Sequence, residues 1–195
     1  MIQSFPVILA SGSPRRQELL KQLGINYSVV LKEIEESYPG HLKKEQVALF
    51  LAKKKASAYN AETESGNIVI TADTIVCIND KILNKPATFE EAVDMLDMLS
   101  GKSHQVITGV CISGREFSKL FHVVTTVTFK KFSAAEIKYY IEKHKPYDKA
   151  GGYGIQEWIG LIGMENMEGS YFNVVGLPVK ELYENLVTLK IIDGL

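Results

Sequence analysis

The sequence has 195 residues, 46% of them hydrophobic and 23% charged, and its 22 basic side chains nearly balance 23 acidic ones for a formal net charge of -1. A disordered chain would show lower hydrophobicity or a larger net charge, and a chain held to nucleic acid by bulk charge would show a basic excess, so neither class fits. At this length one domain buries roughly 70% of the surface its unfolded chain exposes, so a core can form without disulfides or structural metal.

The first apolar run, Val7-Ile8-Leu9-Ala10, is short and continuous, as expected of a buried strand. Ser11-Gly12-Ser13-Pro14 then supplies a turn, an N-cap serine and a proline at the first helical position. Leu19, Leu20 and Leu23 follow at helical spacing, and Gly24 is placed to stop the helix. A second helix is expected over 43–60, with Val47, Phe50, Leu51 and Ala58 on one face. Next comes a long β-rich run from Ile68 to Ile78, with Asn79-Asp80 as a turn before Ile82-Leu83. Thr88 and Glu91 have capping-box spacing for a helix ending at Gly101. Strands are expected near 104–112 and 119–130 around a Ser113-Gly114 hairpin, and Ser133 with Glu136 opens a helix that Pro146 closes. A glycine-bearing loop over 148–156, short strands around 158–164 and 170–176, and a C-terminal helix complete the chain. Helices and strands alternate but hairpins interrupt them, which predicts a single α/β domain over 1–195 with a mixed sheet.

Cys77 and Cys111 lie far apart, each inside an apolar run, and have neither metal-site spacing nor a secreted disulfide pattern, so buried reduced thiols are expected. The opening Met1-Ile2-Gln3-Ser4-Phe5-Pro6 has no basic region followed by a long apolar stretch. No apolar run approaches about 18 residues either, and a soluble cytoplasmic protein is the expectation.

Candidate chemistry gathers in three segments. In Ser11-Gly12-Ser13-Pro14-Arg15-Arg16, two arginines occupy the first turn of a helix, where the dipole favours acids. Either they are solvated surface cations, or a bound phosphate chain removes the conflict, with arginine donating bidentately and the serines and backbone N–H groups completing a cradle. Asp73 stands inside an apolar, β-branched stretch, where an uncompensated carboxylate is unfavourable. It either marks a strand end that turns at Thr74, or uses that position, upstream of Lys85, to bind metal or activate water. In Tyr147-Asp148-Lys149-Ala150-Gly151-Gly152-Tyr153-Gly154-Ile155-Gln156, the glycines permit close approach of backbone to a ligand and Gln156 could meet a base edge; an ordinary flexible loop explains the glycines equally well. By composition, Glu33, Glu35 and Glu36 form a solvated acidic loop, and helical spacing does not decide which of Lys53, Lys54 and Lys55 faces a site. His41, His104, His122 and His144 show no ligand or nucleophile spacing and receive no catalytic role.

Taken together, the blocks Leu9 to Leu20, Ala72 to Val76, Ile82 to Pro86, Leu99 to Val106, Asp148 to Gln156 and Asn173 to Pro178 resemble, in order, the Maf family of nucleoside triphosphate pyrophosphatases. The resemblance implies an elongated mixed sheet flanked by helices, in two lobes with a cleft, of the Maf and inosine triphosphatase-like kind. It implies hydrolysis between the α- and β-phosphates to a monophosphate and pyrophosphate, with a divalent cation such as Mg²⁺ or Mn²⁺. By motif match, Asp73 would activate water and, with Glu36, hold the cation, and Lys85 would serve catalysis. Ser11, Arg15, Arg16, Lys55 and Lys85 would bind the triphosphate. The Tyr-Gly-Ile-Gln form of the fifth block resembles the subgroup acting on dTTP and UTP, in which Arg15, Thr74 and Gln156 would set specificity. Glu157-Trp158 follows where the family usually has glycine, which predicts added bulk and charge beside the base pocket. The resemblance further implies a homodimer. The rival readings are a 7-methyl-GTP preference and a nucleotide-binding regulator of cell division without hydrolysis. No membrane or nucleic-acid partner is expected, since basic residues form no stripe with interleaved aromatics.

Overall fold

A computed structural model describes residues 2–194; Met1, the first residue of the opening stretch, and Leu195 lie outside them. The elements in order are β1 (Val7–Leu9), α1 (Pro14–Gln22), β2 (Tyr27–Val29), α2 (Glu45–Ser57), α3 (Asn60–Glu64), β3 (Ile68–Ile78), β4 (Lys81–Leu83), α4 (Phe89–Leu99), β5 (Ser103–Ser113), β6 (Ser118–Phe129), α5 (Ala134–His144), α6 (Trp158–Gly163), β7 (Met164–Glu168), α7 (Tyr171–Val175) and α8 (Val179–Thr188). The sheet has the order β2-β1-β3-β5-β6-β7, with β4 on β3. β1 pairs in parallel with β2 and β3, whereas β4 on β3 and β7 on β6 are antiparallel, so the α/β class with a mixed sheet is as expected.

The chain divides into two compact units. The first runs to Asp73 and adds Thr108–Val123 and the end of the chain from Gly176; the second comprises Thr74–Ile107 and Val124–Val175. In the first unit, Ile8, Tyr59 and Val69 form a buried cluster, and Ala52 and Ala56 of α2 pack on Cys111 of β5. In the second unit, Leu96 and Leu99 of α4, Ile137, Tyr140 and Ile141 of α5 and Phe129 of β6 belong to one core cluster and are all fully buried. Both cysteines are buried and reduced.

Local chemistry sets most boundaries. Ser13 caps α1 by accepting the Arg16 N–H, with Pro14 in the first turn. Asn79 and Asp80 both take positive φ, 47° and 65°, in the tight turn joining β3 to β4. Ser133 and Glu136 form a reciprocal capping box on α5. At Thr88 only half of that arrangement is present: its side chain accepts from the Glu91 N–H, while Glu91 accepts from the N–H of Ala87.

The structure departs from expectation in three places. The helix expected over 43–60 ends at Ser57, and a separate short α3 follows; β2, three residues with two exposed, gave too short a signal to read. The strands expected around 158–164 and 170–176 are α6 and α7, and the strand β7 lies between them. Short apolar runs do not distinguish strand from helix by periodicity, and here Gly160 and Gly163 disfavour a strand. In α7 the Ser170 hydroxyl accepts the Asn173 N–H at 3.3 Å, a helical start, and the Asn173 amide is buried against the Val106 carbonyl and Thr125 Oγ1.

Replacing Ser133 by Ala should remove the cap of α5 and lower stability by about 1 kcal/mol, read as a fall in urea midpoint at unchanged slope.

Candidate active site

The site starts where β1 hands over to α1. The buried Ser11 hydroxyl accepts from the Ser13 N–H and from Arg16 Nη1, both at 3.3 Å. Arg16 also donates from Nη1 to the Ala72 carbonyl at 2.9 Å and from Nε to the Gly176 carbonyl at 2.8 Å. Its guanidinium therefore ties the first turn of α1 to β3 one residue before Asp73, rather than lying in solvent as a surface cation would. Burial lowers the Arg16 pKa from its ordinary value, and the Asp73 carboxylate opposes that shift. The first turn contains no acid, so the helix N-terminus keeps its partial positive charge.

Asp73 does not end a strand. β3 is continuous from Ile68 to Ile78, with Asp73 near its middle and only 7% exposed. What permits a carboxylate there is a partner from another element: Lys55 Nζ, from the last turn of α2, lies 2.5 Å from Asp73 Oδ1 and 2.6 Å from Glu36 Oε1. The fold thereby decides what helical spacing left open, since Lys55 is the lysine at the carboxylates and Lys54 donates to the carbonyl and hydroxyl of Ser37. Glu36 is likewise more than a solvated loop acid: although exposed, it shares the ammonium with Asp73. Two carboxylate oxygens within hydrogen-bond reach of one nitrogen form a hard-oxygen set of the kind Mg²⁺ takes when phosphates complete its shell, so these residues fit a divalent cation. Among the described residues no group of three or more His, Cys, Asp or Glu gathers that could hold a metal without such help.

Arg15 lies in the first turn of α1, and the second unit carries Thr74, Lys85 and Gln156. Thr74 follows Asp73 on β3 and is half-buried; Lys85 is exposed after β4. The glycine segment contains a hydrogen-bonded turn. Ala150–Gly152 forms a 3-10 turn in which Gly151 has φ 71°, and the Gly151 N–H donates to the Asn84 carbonyl at 3.1 Å. This bond joins the Gln156-bearing segment to the residue preceding Lys85. Tyr153 and Ile155 are buried and Gln156 between Ile155 and Glu157 is exposed. The Tyr153 hydroxyl lies 2.7 Å from Nε2 of buried His104, and both rings pack on Phe129.

Glu157 adds a charge next to Gln156 that is engaged by two other side chains. Its Oε2 accepts from the Tyr140 hydroxyl at 2.5 Å, and its Oε1 lies 3.1 Å from Nζ of the buried Lys149. Both of its carboxylate oxygens are thus engaged, and Trp158 packs edge-on to Tyr139 with ring centroids 4.8 Å apart. Sequence reading singled out neither Tyr140 nor the Lys149 pairing: on α5, Tyr140 is one more apolar-face residue, and its hydroxyl's partner lies 17 residues onward.

Comparison with known proteins adds a second kind of observation. The family model "Maf: Maf-like protein" matches residues 6–189. The chain is 51% identical to a protein of Phocaeicola vulgatus and 49% identical to one of Bacteroides fragilis, each over 189 residues covering 96% of this chain and 98% of the relative. It is 47% identical over 188 residues to a protein of Flavobacterium johnsoniae, covering 96% and 97%. All three relatives are named dTTP/UTP pyrophosphatase. Among solved structures, a nucleoside-triphosphatase (dITP/XTP pyrophosphatase) of Mycobacterium abscessus aligns with 66% of this chain and 76% of its own at 12% identity and a TM-score of 0.41.

Two outcomes follow from the electrostatics. In a double-mutant cycle, Lys55→Met and Asp73→Asn should show a coupling of about 2 kcal/mol in urea unfolding, since removing either partner leaves the other charge buried; additive effects would show the pair to be energetically idle. Burial holds His104 down from 6.5 to about 4, so between those values the unfolded chain binds a proton that the folded chain refuses. Stability should therefore fall as pH drops through that window, by about 3 kcal/mol in all, and His104→Gln should flatten the slope.

Proposed function

The chain belongs to the Maf-like protein family, and on that premise we propose that it is a pyrophosphatase hydrolysing dTTP and UTP, and modified pyrimidine nucleotides, to the nucleoside monophosphate and pyrophosphate. The observation that carries the reaction is the sharing of Lys55 between buried Asp73 and Glu36. The pyrimidine preference is supported by the name that relatives at 47–51% identity bear. The chain acts as one catalytic domain over 1–195, in the cytoplasm; among the described residues no helix is long and apolar enough to cross a membrane.

The chemistry assigns each side chain a task. Ser11, Arg15 and the N–H groups opening α1 bind the triphosphate oxygens, where the helix dipole already favours an anion. Arg16 adds charge while its bonds to Ala72 and Gly176 hold the loop in shape. Asp73 accepts the proton of the water that attacks the α-phosphorus, and the pyrophosphate leaves as the anhydride bond breaks. Lys55 and Lys85 neutralise charge as it moves onto the leaving group. Held by Asp73 and Glu36, a divalent cation, Mg²⁺ or Mn²⁺, would supply further neutralisation of the triphosphate and acidify water. Thr74, Arg15 and Gln156 select the base, the glutamine amide offering the donor and acceptor that a uracil or thymine edge requires. A homodimer is the assembly proposed, with no nucleic acid or membrane partner.

A panel of nucleotides assayed for pyrophosphate release should show UTP and dTTP turned over at least about tenfold faster than ATP, GTP or 7-methyl-GTP, a discrimination equivalent to about 1.4 kcal/mol. Faster turnover of 7-methyl-GTP would replace the pyrimidine reading, and no turnover of any would leave a binding protein. Asp73→Asn should lower kcat by at least about a hundredfold with nucleotide affinity retained; unchanged turnover would remove Asp73 from its role.

A further inference from the structure

Gln156 is exposed on a turn whose two ends are fastened by the same side chain. The Glu157 N–H donates to the Gly154 carbonyl at 3.0 Å, closing Gly154-Ile155-Gln156-Glu157 as a turn. The Gly154 N–H donates to the Tyr140 hydroxyl at 2.9 Å, and that hydroxyl donates to Glu157 Oε2 at 2.5 Å. A path of hydrogen bonds thus runs from the start of the turn through α5 and back to its end. The Glu157 carboxylate folds so closely over Gly154 that a Cβ there would lie 2.8 Å from Cδ, so the lock also explains a glycine at that position. Lys149, its side chain 9% exposed, completes the arrangement by pairing with Glu157 Oε1 at 3.1 Å and with Asp148 at 2.7 Å. A buried lysine so paired, with both carboxylate oxygens of Glu157 engaged, is costly to assemble, and its one positive charge is shared between two carboxylates.

We propose that Glu157, acting through Tyr140 and Lys149, is a positioning residue that fixes the backbone beneath Gln156 and thereby sharpens the enzyme's choice of base. The inference rests on the pyrimidine reading for its consequence but not for its geometry. Three of the four residues of the turn are engaged: Gly154 by Tyr140, Ile155 by burial in the core, and Glu157 by its own pairs, which leaves the Gln156 side chain as the one presented outward. Selection by an amide requires its carbonyl and NH₂ to meet complementary groups within a few tenths of an ångström, so slack in the turn weakens base recognition and leaves triphosphate recognition untouched.

Two measurements test this on the full-length protein. Hydrogen–deuterium exchange should show the Gly154 amide protected in the wild type, and about tenfold or more faster in Glu157→Ala and Tyr140→Phe, with protection in β3 and α4 unchanged. Calorimetric affinity for α,β-imido-UTP relative to α,β-imido-ATP should fall roughly five- to tenfold in Glu157→Ala, the worth of one well-placed hydrogen bond. Affinity for inorganic tripolyphosphate, which has no base, should stay within about twofold. Glu157→Gln, which still accepts from Tyr140, should recover most of the selectivity. Unaltered exchange at Gly154 in Glu157→Ala would overturn the lock. Faster exchange with unaltered selectivity, or an equal loss for tripolyphosphate, would overturn the positioning role. A wild type that binds both analogues alike would overturn the pyrimidine reading and the selectivity consequence together, while exchange would still decide the lock.

Discussion

A carboxylate placed in the middle of a buried strand dictates much of what surrounds it. A buried carboxylate needs a partner that replaces its lost water, and α2 delivers Lys55 to Asp73. That requirement explains how α2 must sit. Successive side chains on a strand alternate between faces, so Thr71 and Asp73 share one face, and both bond to α2: Thr71 Oγ1 donates to the Ala52 carbonyl at 2.7 Å while Asp73 takes Lys55, one helical turn further along. The small side chains of Ala48, Ala52 and Ala56, all buried, let the helix approach closely enough to do this. The intervening residue serves the same end by its backbone, because the Ala72 carbonyl accepts from Arg16.

Such an arrangement is poor value for stability alone. Desolvating two charges typically offsets most of their attraction, and an apolar pair of similar volume would often serve the fold as well. The presence of Asp73, Lys55 and Glu36 together is better understood as chemistry: two carboxylates, a cation held in reach of both, and a helix N-terminus without acids one bond network away. Charge of both signs at one place also reconciles a polyanionic substrate with a chain whose net charge is -1. The positive potential is local, so a whole-chain balance says little about it.

The second unit uses buried polar groups differently. His104, Tyr153, Tyr140, Lys149 and Glu157 all lie at or beneath the segment from 149 to 157, and burial keeps both tyrosine hydroxyls protonated. His104 is kept neutral for the same reason. His104 and the two tyrosines therefore act as fixed hydrogen-bonding partners across the neutral range, giving the glycine-containing turn a definite shape that its composition alone would not impart.

What the sequence by itself determined was whatever local chemistry controls. Ser13-Pro14, Asn79-Asp80 and Ser133 with Glu136 announce their cap or turn because the groups that satisfy one another lie within four residues. The six blocks carried the family for the same local reason: their residues are recognisable without knowing what they touch. Where the pattern was short and apolar, as over 158–176, periodicity could not separate helix from strand, and the packing environment chose. Tertiary structure alone decided which lysine meets Asp73, that Glu36 joins them, that Arg16 braces the loop, and that Glu157 turns inward to Tyr140 and Lys149. Each of these is a contact between side chains or carbonyls that chain folding brings together from 17 or more residues apart, or, for Lys149, from across a turn. Electrostatic partners of this kind leave no periodic trace in a sequence, because the energy that selects them depends on distance and burial and not on spacing along the chain.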